Sequence, residues 1–219
     1  MRGKQRQTEF GFTNWGGKRP GAGRKPKGER AGVSHAKRPR LRASYPVLVT
    51  LRLCEGLPSL RYDDSHEVLK RAFAAGSEGE GFRVVEYSVQ SNHVHLLAES
   101  RDEQALARGM NGLGVRIARG LNRIWKRMGR VFSDRYHARI LKTPREVRVA
   151  LVYTLQNARK HGAWVAVKPD VYSSGPYFDG WRGGFRRAKR FLREARTWLL
   201  TIGWRRRGLI DLHEAPATG

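Results

Sequence analysis

The chain has 219 residues and carries 44 Lys and Arg against 19 Asp and Glu, a formal net charge of +25 with a sequence pI of about 11.3. A field this positive concentrates polyanions, above all nucleic acid. No apolar run approaches the roughly 18 to 20 residues of a membrane span, and a single cysteine, Cys54, excludes an internal disulfide and any Cys-rich zinc cluster.

Residues 1–40 have almost no apolar pattern and read as a disordered basic arm, since such a stretch buries too little surface to offset its ordering entropy. Arg19, in KRPG, and Arg24, in GRKP, lie in segments loosely like AT-hook cores, in which an Arg-Pro stretch enters the minor groove. A plain charged tail adding phosphate contacts is the simpler reading. The opening MRGKQRQTEF has no apolar core segment, so no signal peptide is read. With the lone cysteine this points to a reducing, cytoplasmic and nucleoid-associated setting without a membrane.

Order is predicted from YPVLVTLRL, a strand over residues 45–53, followed by a helix over DDSHEVLKRAFAAG with acidic residues at its start and Gly76 past its end. FRVVEYSVQ and NHVHLLAES form a hairpin. A longer helix covers residues 103–125 despite interior glycines, and RVFSDRYHARILK reads as a further strand. The last predicted helix opens with Thr143 as N-cap, Pro144 at its first position and Glu146 as capping-box partner, and stops at Gly162. The order is βαββαβα, an α+β, ferredoxin-like sandwich with helices packed on one antiparallel sheet. Three parts result: the arm at 1–40, a folded domain at 41–162 and a basic C-terminal extension at 163–219, in which FDGWRGGFRRAKRFLREARTWLL reads as a basic amphipathic helix.

Two short patterns inside that domain carry chemistry. In a strand alternate side chains share a face, so His93 and His95 of SNHVHLLAE stand together and make half a metal site. A harmless pair on a solvated strand is the bland alternative. On the last helix Val147, Ala150, Leu151, Leu155 and Ala158 form the core stripe, with Tyr153 and Asn157 one turn apart along its flank. Tyr153 as a packing residue with a wet hydroxyl is the alternative there. Gln156 falls farther from the core stripe and is the weaker partner. Tyr87, Tyr136 and Tyr177 are rival nucleophiles without an amide one turn on, and His137 and His161 are metal candidates without a periodic partner.

With both patterns in this order, residues 44–162 resemble the REP-associated tyrosine transposases, members of the single-tyrosine HUH superfamily that also holds the IS200-type transposases. HUH denotes His, a hydrophobic residue and His, here His93-Val94-His95. The resemblance implies Tyr153 as the nucleophile and His93, His95 and Asn157 as ligands of a divalent ion, Mg²⁺ or Mn²⁺. It also implies cleavage and rejoining of single-stranded hairpin DNA through a 5′-phosphotyrosine with a free 3′ hydroxyl. Two positions depart from the family pattern: Leu48-Val49-Thr50 stands where members often have His-Val-Thr, and Ala158 follows Asn157 where a proline is usual.

The chemistry needs those residue types. A divalent cation neutralises charge on the phosphate, and a phenol of pKa about 10 requires help to act as a nucleophile near neutrality. Arg116, Arg119, Arg130, Arg135, Arg139, Arg159 and Lys160 are candidates for holding the DNA backbone, and Trp125 and Tyr136 for stacking on bases. Rival functions are a non-catalytic nucleic-acid-binding protein of transposase descent and a metal-dependent hydrolase. Many hydrolases continue H-x-H-x-D, and that position is Leu97. A cyclic phosphodiesterase would need a second H-x-[ST], which the sequence lacks. The long C-terminal extension points to a monomer rather than a homodimer.

Overall fold

The computed structural model describes residues 38–76, 81–160, 168–184 and 187–216; the expected basic arm, with Arg19 and Arg24, lies outside them apart from residues 38–40, as does His161. The first strand, β1 (Val47–Arg52), buries Val47, Val49 and Leu51 on one face and turns Leu48, Thr50 and Arg52 to the other. Helix α1 (Asp63–Gly76) opens on two aspartates, which suit the positive end of its dipole, and buries Leu69, Ala72 and Phe73. β2 (Phe82–Val89) and β3 (His93–Ser100) form the hairpin, closed by Gln90 N–H donating to His93 C=O at 2.8 Å.

A bulge between Val84 and Glu86 shifts the register, so Val85 and Glu86 both lie on the Leu97 side of the sheet while Val84 and Tyr87 enter the core on the other. Helix α2 (Glu103–Ile124) is capped by Asp102, whose carboxylate accepts from Ala105 N–H at 2.7 Å. Its interior glycines are close-approach positions: a Cβ on Gly109 would sit 2.3 Å from Phe82 Cγ, and one on Gly120 would sit 2.5 Å from Val68 Cγ1. The glycines therefore let α2 lie down on β2 and α1.

The fourth strand is shorter than its sequence suggests. Only β4 (His137–Ile140) pairs continuously, and Phe132 meets Leu53 in an isolated bridge. The sheet order is β2-β3-β1-β4, antiparallel throughout. α1 and α2 cover one face, over a core that includes Val49, Leu51, Phe73, Leu96 and Ile117. Helix α3 (Pro144–Leu155) covers the other, through Val147, Ala150 and Leu151 on Leu97.

The capping box at Thr143 and Glu146 forms as expected. The helix does not run on to Gly162, however: it ends at Leu155, turns at Gln156, and is followed by the short α4 (Asn157–Lys160). Gln156 explains the break, because its amide donates to the Asp211 and Leu212 carbonyls at 3.2 and 2.9 Å.

The basic amphipathic helix expected near residues 178–200 is not formed in the described part, where residues 187–197 are non-helical and only α5 (Trp198–Thr201) and a 3₁₀ turn (Gly203–Arg207) follow. Its anchors point to different neighbours, which no single helical stripe satisfies. Arg190 pairs with buried Glu86 at 3.0 Å, Phe191 packs on Tyr177, Leu192 joins the α1–α2 core, and the N–H groups of Arg196 and Thr197 donate to the Glu99 carboxylate. Leu199, Leu200 and Trp204 then complete the core under α3. Farther back, Val89 N–H donates to Tyr172 C=O and Ser174 N–H to Tyr87 C=O, closing the β2 edge. Among the described residues no helix is long and apolar enough to cross a membrane.

Candidate active site

His93 and His95 share the face of β3 that looks toward α3. Their rings lie 4.7 Å apart, nearly edge to face at 80°. His93 is half-buried and His95 is buried. Each ring is oriented through Nδ1. His93 Nδ1 meets Asn92 Oδ1 at 2.8 Å. An amide oxygen only accepts, so that contact puts the proton on Nδ1 and the lone pair on Nε2. His95 Nδ1 meets Thr50 Oγ1 at 2.9 Å, from the directly paired position on β1.

Helix α3 brings Tyr153 to this pair from above. Its ring centroid is 4.9 Å from that of His95, and its hydroxyl is 3.4 Å from His95 Nε2. Residues 58 apart in sequence thus meet at one ring nitrogen. Asn157 is fully buried, and neither its amide oxygen nor its amide nitrogen has a hydrogen-bond partner. It therefore does not look out from the edge of the helix, as an unbroken α3 would have it. Leaving both halves of a buried amide unmatched is costly.

The IS200-like transposase family model matches residues 59–153, a span that holds both histidines and ends on the tyrosine. That stretch is similar to the IS200-like transposases. A solved structure of a REP-associated tyrosine transposase bound to a REP hairpin is similar in fold to this chain, with a TM-score of 0.54 and 14% identity over 64% of this chain and 82% of that one. At that identity the likeness is one of fold. No curated protein matches the chain.

The other residues singled out from the sequence spread over the fold rather than converge. Arg116 and Arg119 are exposed on α2, which covers the face opposite the histidines. Arg130 is folded back, its guanidinium donating to the Phe132 and Ser133 carbonyls. Arg159 donates to Leu212 C=O at 2.7 Å and so ties down the C-terminal strap. Arg135 and Arg139 are exposed beside β4, Arg139 lying 3.5 Å from Glu146. Lys160 closes α4, its side chain lying outside the described residues.

Trp125 Nε1 donates to Ser65 Oγ at 3.3 Å. Tyr136 lies under Arg38, whose guanidinium carbon is 3.7 Å from the ring centroid. Of the rival tyrosines, Tyr87 is fully buried in the α1–α2 core and burial pushes its hydroxyl far up, as it does less strongly for Tyr136. Sequence reasoning passed over Thr50 and Asn92, which orient the two histidines. Asn92 adjoins His93 in the chain, whereas Thr50 becomes visible only through strand register.

Proposed function

We propose that the chain is a DNA transposase and single-strand endonuclease that cuts and rejoins single-stranded hairpin DNA through a 5′-phosphotyrosine on Tyr153. The observation that carries this reading is the meeting of the Tyr153 hydroxyl with His95 Nε2 at 3.4 Å, beside a second histidine, inside the stretch that matches the IS200-like transposase family model. The fold likeness to a transposase bound to a REP hairpin supports a DNA hairpin as the substrate.

In the cutting step Tyr153 Oη bonds to the phosphorus and its proton passes to a base. The bond from phosphorus to the 3′ oxygen breaks, and that oxygen leaves as a 3′ hydroxyl after taking a proton. Rejoining reverses the step: a 3′ hydroxyl attacks the phosphotyrosine and the tyrosine recovers its proton. Bond energy is kept in the covalent link, so no external energy source is needed.

Among the described residues no cluster of three His, Cys, Asp or Glu is present. Two imidazoles and an amide oxygen are nevertheless donor types that suit a divalent ion. Asn92 leaves His93 Nε2 as a lone-pair donor, Thr50 holds the His95 ring, and buried Asn157 has an amide oxygen that no protein group bonds. Such an ion, Mg²⁺ or Mn²⁺, would neutralise a nonbridging phosphate oxygen as a Lewis acid. The chain's own contribution is to hold the two rings and to fix the tyrosine above them. Because Tyr153 reaches the histidines of its own chain, a monomer acting in the cytoplasm on nucleoid DNA suffices.

The test is incubation of the full chain with end-labelled single-stranded hairpin oligonucleotides and Mn²⁺ or Mg²⁺, run on a denaturing gel beside Tyr153→Phe. A metal-dependent covalent band that the variant lacks is the expected result. Binding without any adduct would instead favour a non-catalytic DNA-binding protein of transposase descent.

A further inference from the structure

The face of the sheet that carries the histidines continues outward across β1 to β4. Register fixes the connection: Arg52 on β1 is paired with His93, Thr50 is paired with His95 on one side, and the same Thr50 is paired with His137 of β4 on the other. Directly paired residues of antiparallel strands share a face, so Arg52 stands next to His93. His137 stands two strands from His95, about 10 Å away. Arg139 follows two residues along β4, about 7 Å farther.

Arg52, His137 and Arg139 are exposed, whereas Ala138 and Ile140, which alternate with the β4 pair, turn to the α1–α2 core. The far edge of the sheet is closed, since residues 172–174 hydrogen-bond along β2. β4 is thus the outer margin from which the histidines are reached.

We propose that Arg52, His137 and Arg139 form a phosphate track, with the single DNA strand beside the cut site lying along β4. Successive phosphates rest on His137 and Arg139, and the phosphate to be cut lies beside Arg52. The two-residue repeat of a strand is close to the spacing of neighbouring phosphates in an extended single strand, which is why a strand can serve as such a rail. The inference rests on the DNA-cleaving reading above and adds where the substrate runs. Glu146 lies 3.5 Å from Arg139, but an exposed pair of that length is a weak tie that a phosphate displaces. Charged residues on an edge strand also discourage edge-to-edge pairing, a role that would leave DNA affinity untouched.

The experiment uses the full chain and single strands flanking a hairpin in which one phosphate at a time is replaced by an uncharged methylphosphonate. Binding is read by fluorescence anisotropy at fixed salt for the wild type, Arg52→Gln, His137→Gln, Arg139→Gln and, as a charge-keeping control, Arg139→Lys. Each critical methylphosphonate should weaken wild-type binding several-fold, on the order of one lost phosphate contact. Arg139→Gln should bind unmodified DNA with the same deficit and lose sensitivity at one phosphate, His137→Gln at its neighbour and Arg52→Gln at the cut site, while Arg139→Lys keeps the wild-type pattern. The proposal is overturned if the glutamine variants bind like wild type or keep full sensitivity at every position. Failure of the covalent-adduct test with this pattern intact would sink the cleavage reading and leave the track standing.

Discussion

Thr50 Oγ1 lies 2.9 Å from His95 Nδ1 across the β1–β3 pair, placing a hydroxyl behind the ring nitrogen opposite the one that faces Tyr153. Partners of this kind fix the tautomer and orientation of a ligand histidine, and losing one typically costs 10- to 100-fold. Thr50→Val should therefore lower metal-dependent cleavage by roughly that factor, while Thr50→Ser keeps it. Because only one hydrogen bond is lost, the change in unfolding free energy should stay near 1 kcal/mol. Titrating cleavage against Mn²⁺ concentration in the three proteins checks this, and a Thr50→Val protein that cleaves normally would remove Thr50 from the site.

The end of the tyrosine helix is held by the C-terminal strap, through Gln156 to the Asp211 and Leu212 carbonyls and Arg159 to Leu212 C=O. Gln156→Ala strips hydrogen bonds from two carbonyls and should cost about 1–3 kcal/mol in urea unfolding. Tyr153 lies three residues before it, so the yield of covalent adduct should fall as well. Unchanged stability and unchanged yield together would show that the strap does not position the tyrosine.

Acid sensitivity has a named source. Burial, with the Lys70 ammonium nearby and a smaller effect of Arg61, holds the His66 imidazole down at about 4 from its ordinary 6.5, against opposing pulls from Asp170 and Glu67. The ring packs on Tyr172 at 4.9 Å. Between pH 6.5 and 4 the unfolded chain takes a proton that the folded state refuses, so His66 leaves stability untouched above pH 6.5 and lowers it as the pH falls toward 4. The loss should reach on the order of 2 kcal/mol. Urea midpoints at pH 7 and pH 5 should be closer together in His66→Gln than in wild type.

Gly109 tests why α2 tolerates glycine. Helix propensity alone favours alanine by about 1 kcal/mol. A Cβ there would meet Phe82 Cγ at 2.3 Å, and such overpacking costs about 1–3 kcal/mol. Thermal unfolding of Gly109→Ala should show a net loss of stability, and a gain would mean that Phe82 moves aside freely.

How much of this was legible in the sequence varies with the range of the cause. Local causes read well: the capping box at Thr143 and the acidic start of α1 depend on neighbours within a turn. The His93–His95 pair follows from strand alternation. Causes spread through space did not read. The helix break at Gln156 depends on carbonyls more than 50 residues on, and the missing C-terminal helix depends on Glu86 and Glu99 drawing Arg190 and the Arg196 and Thr197 N–H groups across the sheet. Thr50, met in the sequence only as the last residue of Leu48-Val49-Thr50, acquired a role when the register placed it opposite His95. Arg159, plausible as a DNA contact from its charge, is engaged with a carbonyl of its own chain.

The most direct measurement of the central claim is to recover the covalent complex formed with hairpin DNA and Mn²⁺, digest both partners, and locate the nucleotide by mass spectrometry. The account predicts a 5′-linked nucleotide on the peptide that contains Tyr153, formed only with the ion present. A nucleotide on Tyr87, Tyr136 or Tyr177, or cleaved DNA with no modified peptide, would contradict it.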